Sequence, residues 1–242
     1  MDNTSPTPLG KLYLIPTRLG QNPPLEVLPM SIKRIVEIVD DYIMENEKVG
    51  RAFVKAMVPG KSQPSLNINT INKFTDPIEM RDFLDPCMQG RHMGILSDAG
   101  CPGIADPGAD IVRMAHQKGI QVVPLVGPSS ILMAMMSSGM NGQSFCFNGY
   151  LPIDKMERKR ALKGLEKLSK EKNQSQLFIE TPYRNDKLLA DITSNLQNDT
   201  LLCVACDITL PTEYIKTMPI KEWKHTKVDL HKRPAIFIIH AG

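Results

Sequence analysis

With 242 residues the chain can bury one large core or two of roughly 100 to 130 residues each, and two are expected. Its formal charge of +3 comes from 29 basic and 26 acidic side chains, too small an excess to establish nucleic-acid binding by itself. No apolar run reaches the roughly 18 residues of a membrane span and the N-terminus lacks the basic-then-apolar order of a secretory signal, so a soluble, cytoplasmic protein with no membrane partner is expected.

Residues 1–10 are polar and proline-rich and read as a flexible tail. Lys11 to Pro16 forms a first strand, and apolar residues at helical spacing (Ile32, Ile35, Val36, Ile38, Val39, Ile43) predict a helix from Pro29 to about Glu47. Residues 59–76, rich in Pro, Ser, Asn and Thr, read as a loop or a poorly formed strand, and Ile78 to Met88 as a helix. His92 to Leu96 is a short buried strand. The loop after it, Ser97 to Gly108, holds three glycines and two prolines in twelve residues. Glycine there permits positive φ and close approach of backbone to a ligand. Asp106-Pro107 reads as an N-cap and first helical position, opening a helix that runs to about Lys118. A helix N-terminus leaves free N–H groups at the carboxyl end of the sheet, where open α/β sheets take ligands.

Ile120 to Val126 is the next strand, and Gly127-Pro128-Ser129-Ser130 is a second glycine-bearing turn into a helix. That helix, Ile131 to Gly139, carries a methionine cluster that reads as core packing. Phe145 to Tyr150 is a strand, after which Leu151-Pro152 closes a first domain over 11–152. The second domain, 153–242, begins with a basic amphipathic helix from Asp154 to about Lys172. Strand Gln176 to Glu180, turn Thr181 to Arg184, a helix to Leu196 and strand Leu201 to Ile208 follow. A β segment around Glu213 to Thr217, a turn through Trp223 and strand Pro234 to His240 complete the chain. The expected fold class is α/β, with two α/β domains and a cofactor cleft between them.

Five scattered cysteines (Cys87, Cys101, Cys146, Cys203, Cys206) argue for reduced thiols. Cys203 and Cys206 lie three apart on a strand, so their sulfurs diverge and no metal site is expected. Residues 1–152 carry 13 basic and 14 acidic side chains, and 153–242 carry 16 and 12, so the second half is the basic one. Lys155, Arg158, Lys159, Arg160, Lys163 and Lys167 could meet phosphates, although Glu157, Glu166 and Glu171 interleave them as on a solvated face. With Trp223 the only tryptophan, no aromatic stacking platform is visible. A nicotinamide-binding domain is disfavoured because no G-x-G-x-x-G follows a strand.

Taken in order, several motifs resemble the tetrapyrrole methylase superfamily of S-adenosylmethionine-dependent methyltransferases, and within it the bacterial small-subunit rRNA cytidine-2'-O-methyltransferases. They are Leu12-Tyr13-Leu14-Ile15-Pro16-Thr17 with Gly20, the 97–108 loop, Val122-Val123-Pro124-Leu125 with Gly127-Pro128, Gly149-Tyr150-Leu151-Pro152 with Arg158, and Glu180-Thr181-Pro182-Tyr183-Arg184. The resemblance implies S-adenosyl-L-methionine as cofactor, a homodimer, and structured rRNA or a ribosomal subunit as partner. Carried over by position, the cofactor-binding candidates are Pro16, Ser97, Asp98, Ala99, Pro102, Ile104, Ser129, Ser130, Glu180, Ala205, Pro234 and Ala235. Asp98 suits ribose hydroxyls or the cofactor's cationic groups.

Methyl transfer needs no covalent protein nucleophile, but a hydroxyl acceptor needs a proton acceptor. Glu45, Glu47, Glu180 and Glu213 are available, and Arg184 could hold a phosphate. The departures from the family pattern fall in the acceptor loops, at Arg18 to Leu25, Glu45 to Lys48, Ser65 to Thr70, where the family's histidine and asparagine motif has no counterpart, and Ala205 to Leu210. They leave two alternatives open, a tetrapyrrole C-methyltransferase and a SAM-binding protein that has lost catalysis.

Overall fold

A computed structural model describes residues 8–72, 74–76 and 78–242, in two compact units, the first ending at Ser129 and the second running from Ser130 to Gly242. This boundary lies upstream of the 152/153 division read from the sequence, because the strand at 145–150 pairs with the second sheet. Residues 1–7 of the expected tail lie outside the described residues. Gly10 is already fixed, its N–H donating to the Cys87 carbonyl at 2.7 Å.

The first unit contains β1 (Lys11–Ile15), α1 (Pro24–Val27), α2 (Met30–Ile38), β2 (Asp41–Met44), α3 (Glu47–Met57), β3 (Asn67–Thr70), a 3₁₀ turn (Glu79–Asp82), α4 (Asp85–Met88), β4 (Met93–Leu96), α5 (Ala109–Gln117) and β5 (Gln121–Pro124). The strands form a wholly parallel sheet in the order β3-β2-β4-β1-β5. The helix expected over 29–47 ends at Ile38 instead. Val39 turns extended, and Asp41 to Met44, every residue buried, becomes a strand hydrogen-bonded on both sides. A strand covered on both faces reads as an unbroken apolar run, so Ile43 matched a helical period by coincidence. Asn46 then caps α3, its side-chain oxygen accepting from the N–H groups of Lys48 and Val49. The helix expected at 78–88 is two separate turns, the second opened by Pro86.

Side chains alternate across the sheet. Tyr13, Ile15, Tyr42, Met44 and Leu96 pack with Ile32, Val36, Phe53 and Met57 of α2 and α3, whereas Leu12, Ile43, Met93 and Ile95 pack with Leu84, Ile111 and Ala115. The chain leaves β1 in the direction of β2 and leaves β4 in the opposite direction, to β5. Right-handed crossovers therefore put α2 and α5 on opposite faces, and a crevice opens at the carboxyl ends of the neighbouring strands β1 and β4.

The second unit contains α6 (Ser130–Ser138), β6 (Phe145–Tyr150), α7 (Lys155–Lys172), β7 (Ser175–Ile179), a 3₁₀ turn (Pro182–Arg184), α8 (Asn185–Asn195), β8 (Leu201–Cys206), β9 (Tyr214–Pro219), α9 (Ile220–Trp223) and β10 (Ala235–His240). Its sheet order is β6-β7-β10-β8-β9, with β6 and β7 parallel and the other neighbours antiparallel. Phe178 and Phe237 stack at its centre with ring centroids 6.1 Å apart. The methionines of α6 do not all enter the core. Ala134, Met135 and Ser138 are buried, while Met136 on the opposite face is 82% exposed. No described helix is long and apolar enough to cross a membrane.

Candidate functional site

The loop after β4 folds back on the end of β1. Thr17 N–H donates to the Gly100 carbonyl at 2.9 Å, Thr17 Oγ1 donates to the Ser97 carbonyl at 3.2 Å, and Ser97 Oγ donates to Gly100 at 2.9 Å. Gly100 and Gly103 take φ of 84° and 78°, as the composition leads one to expect of glycine, but Ala105 also sits at 60°. A non-glycine residue there stores strain. Asp106 is the clamp that holds it. Its Oδ1 accepts from Gly103 N–H at 2.8 Å and Gly108 N–H at 2.9 Å, closing the loop on itself, so Asp106 does not cap the following helix as the sequence reading has it. The helix begins three residues later, at Ala109.

Three carboxyls converge on this loop. Glu45, just past β2, accepts from Asp98 N–H at 3.2 Å. Burial raises its pKa, with the Asp98 N–H acting against it and the charges of Asp106 and Asp98 adding to it. Burial likewise raises Asp98, with Asp106 contributing, and raises Asp106 against the two N–H groups it accepts. Asp106 Oδ2 is buried with no hydrogen-bond partner. The site thus holds negative charge under tension, an arrangement that a cation relieves.

Of the candidates in this unit, Pro16, Ser97 and Pro102 are buried, Asp98, Ala99 and Ile104 are exposed, and Ser129 is half-buried. All stand beyond the carboxyl ends of β1, β4 or β5. Pro16 is pinned from behind by Gly127, where an added Cβ would come within 2.2 Å of the Pro16 Cβ. Beside Ser97 and Asp98 lies a cleft of about 390 Å³, walled by Thr17 to Gln21 and by Lys48, Val49, Gly50, Ala52 and Phe53 of α3. Arg18 and Lys48 stand in the sequence only as departures from the family pattern, with no binding role assigned. Arg18's signal was its position just after β1, and Lys48's its position after β2, legible only once β2 is recognised as a strand.

In the second unit Glu180, Arg184, Glu213, Pro234 and Ala235 gather at one end of the sheet, beyond β7 and β8 and before β9 and β10. Arg184 Nη2 donates to the buried Glu180 at 2.6 Å, so its charge is already partnered. Glu213 accepts from Thr209 N–H at 2.8 Å and shapes the turn after β8. Asp207, which the sequence reading passed over, is buried and accepts from Arg233 Nε at 2.7 Å and Thr212 Oγ1 at 2.8 Å. Asp207, Thr209 and Lys232 all have positive φ, so backbone strain is concentrated at this end. Ala205 is fully buried inside β8, and Ser130 is the first residue of α6.

The basic helix α7 is mostly a solvated face. Arg158 is not on it. That side chain is buried, with Nε on Asp191 at 2.8 Å and Nη1 on the Ile153 carbonyl at 2.7 Å, because it locks α7 to α8. Lys163, Lys167 and Lys170 border a second groove of about 410 Å³, but Glu166 and Glu171 border it too and Lys167 pairs with Glu171 at 3.7 Å. Cys206 faces the same cluster as Leu202 and Val204, whereas Cys203 is on the other face of β8. Among the described residues no three His, Cys, Asp or Glu side chains are grouped to hold a metal ion.

No protein-family model matches the chain. It is 32% identical over 233 residues to ribosomal RNA small subunit methyltransferase I of Pasteurella multocida, covering 95% of this chain and 79% of that one. The protein of the same name from Vibrio cholerae is 27% identical over 246 residues, covering 99% and 80%. Among solved structures the methyltransferase CobJ matches with a TM-score of 0.63 at 14% identity, covering 96% of this chain and 94% of that one. A putative diphthine synthase from Entamoeba histolytica matches with a TM-score of 0.62 at 15% identity, covering 94% and 91%. At these identities the structural matches speak for the fold alone.

Proposed function

The chain belongs to the ribosomal RNA small subunit methyltransferase I family, and from that premise we propose that it transfers a methyl group from S-adenosylmethionine to a ribose 2'-hydroxyl in the RNA of the small ribosomal subunit. The observation that carries the cofactor assignment is the trio Glu45, Asp98 and Asp106, each with its pKa raised, around a loop of exposed backbone. S-adenosylmethionine is cationic at both sulfonium and ammonium, and when bound it supplies an activated methyl group. The residues fit such a group. The unpartnered Asp106 Oδ2 and the crowded carboxyls favour a positive ligand, and the glycines bring backbone within its reach.

Pro16, Ser97, Asp98, Ala99, Pro102 and Ile104 are the residues proposed to hold it in the first unit. Glu45 is the proposed proton acceptor for the ribose hydroxyl. Its raised pKa makes it a better base than an ordinary carboxylate, and Asp98 N–H fixes its orientation. Arg184 and Glu213 are tied into structural contacts and are set aside. We also propose a cytoplasmic homodimer, with Leu132 and Met136 of α6 as exposed apolar surface for a second copy to cover.

The test is transfer of labelled methyl from the cofactor to small ribosomal subunits, with nuclease mapping of the modified nucleotide and calorimetry of cofactor binding. A labelled 2'-O-methylnucleotide is the expected product. Heat of cofactor binding without label in the RNA would refute the acceptor, and no heat at all would refute the cofactor.

A further inference from the structure

The cleft beside Ser97 and Asp98 differs in charge from the loop it adjoins. The carboxyls of Glu45, Asp98 and Asp106 converge on the loop, and Asp98 alone of them lines the cleft, which is also bordered by Arg18 from the β1–α1 loop and Lys48 from the first turn of α3. Among the described residues neither cation has a carboxylate partner. Arg18 donates to the Asn22 carbonyl at 2.8 Å and to Gln21 Oε1 at 3.5 Å, which orients the guanidinium without neutralising it. Nearby charges of this kind are paired elsewhere on the same helix, where Arg51 meets Glu47 at 2.7 Å. Leu19, Val49 and Phe53 add apolar wall to the cleft.

We propose that this cleft is the acceptor-nucleotide site and that Arg18 and Lys48 hold the backbone phosphate of the RNA next to the ribose that is methylated. The inference rests on the proposed methyltransferase reading and adds the place and the contacts of its acceptor. A volume of about 390 Å³ is at the low end of the roughly 300 to 1,000 Å³ of ligand pockets, the size for one nucleotide unit with its ribose and small for a four-ring macrocycle. Arg18 and Lys48 line the cleft together with Asp98, whereas Glu45 and Asp106 do not, so the groups proposed to hold the anionic acceptor are distinct from the carboxyls proposed for the cationic donor. Arg18 and Lys48 are positioning residues, acting on the phosphate and not on the reacting atoms.

The experiment measures RNA affinity, its salt dependence and cofactor affinity for Lys48→Gln and Arg18→Gln, with Lys48→Arg and Arg18→Lys as charge-retaining controls. Each neutral variant is expected to bind small-subunit RNA about tenfold more weakly and to raise KM with little change in kcat. The slope of log affinity against log salt should fall by about 0.7 to 0.9 per cation removed. Cofactor affinity by calorimetry is expected to stay at the wild-type value, and the charge-retaining variants are expected to recover the slope. Methylation by the wild type with unchanged RNA affinity and slope in both neutral variants would overturn the inference alone. Loss of cofactor binding in Lys48→Gln would also overturn it, by making the cleft part of the donor site. Absence of any RNA methylation by the wild type would instead overturn the reading beneath it.

Discussion

Gly127→Ala tests whether the first unit holds its proposed cofactor residues as rigidly as the packing indicates. Gly127 lies outside the left-handed region, so alanine costs nothing in backbone conformation, and the whole effect comes from the new methyl group. That carbon would sit 2.2 Å from the Pro16 Cβ and 2.7 Å from its Cγ. Carbon atoms prefer about 3.5 to 4.0 Å, so one partner must retreat by more than about 1 Å. The pyrrolidine ring has no rotamer in which to escape, and Pro16 is buried just past the end of β1, a strand paired on both sides. Overpacking of this kind costs about 1–3 kcal/mol, which at about 4 °C per kcal/mol for a unit of this size lowers Tm by about 4–12 °C. Gly164→Ala is the opposing control, since nothing lies within 4 Å of its added Cβ in the middle of α7. Replacing an exposed helical glycine there should stabilise by about 0.5–1 kcal/mol. Scanning calorimetry and cofactor titration report both variants. Shifts of the same sign in the two variants, or Gly127→Ala with wild-type Tm and cofactor affinity, would refute the close contact between the strand ends.

Other substitutions probe the charges. Asp106→Ala leaves Gly103 and Gly108 N–H without their acceptor and should cost about 1–3 kcal/mol in thermal unfolding, whereas Asp106→Asn keeps an oxygen at that point and should cost less. Because Glu45, Asp98 and Asp106 have raised pKa values in the folded chain, their contribution to stability is fully present below the ordinary carboxylate range near about 4 and is lost as pH rises through the raised values. The difference in Tm between wild type and Glu45→Gln should therefore change sign-consistently across that window, the variant losing less as pH rises, and parallel curves would contradict the assignment. Cofactor affinity should run the other way, strengthening with pH as the carboxyls ionise. Arg184→Ala strips the cation from Glu180, whose side chain is 2% exposed against 35% for Arg184. For such a half-buried pair the cost in denaturant unfolding should be about 1–3 kcal/mol, and Glu180→Gln in the same chain should recover part of it.

What the sequence made legible was the local chemistry of the loops, and what it hid was the covering of the strands. Ser97 to Gly108 could be read because glycine and proline report backbone conformation directly, and Gly100 and Gly103 do take positive φ. Asp41 to Met44 could not, because a strand buried on both faces and an apolar helix segment present the same letters, and only the pairing of β2 with both β3 and β4 separates them. That one error concealed the start of α3, and with it the place of Lys48 in its first turn. Ala105 and Asp207 show a second kind of loss. Their positive φ is imposed by partners distant in sequence or by the loop as a whole, through Asp106 in one case and Arg233 in the other, and residue type alone carries no sign of it. Arg158 shows a third, since a basic residue among lysines reads as surface until Asp191 is seen beside it.

The electrostatics of the first unit bear on which of its loops tolerate substitution. Glu45, Asp98 and Asp106 are linked: Asp106 raises the charge cost of both others and Asp98 that of Glu45, and Glu45 and Asp106 accept backbone N–H groups that shape the loop. A change at any one therefore alters both loop geometry and the field on a bound cation. Arg18 and Lys48 carry no such coupling. They stand on separate elements, each at the end of a flexible side chain, and a phosphate accepts a cation from many directions. Exchange of one cationic residue for another at these positions should leave the fold intact and alter only the grip on the acceptor. Variation in acceptor loops is thus compatible with retained methyl transfer, provided that positive charge persists at the mouth of the cleft.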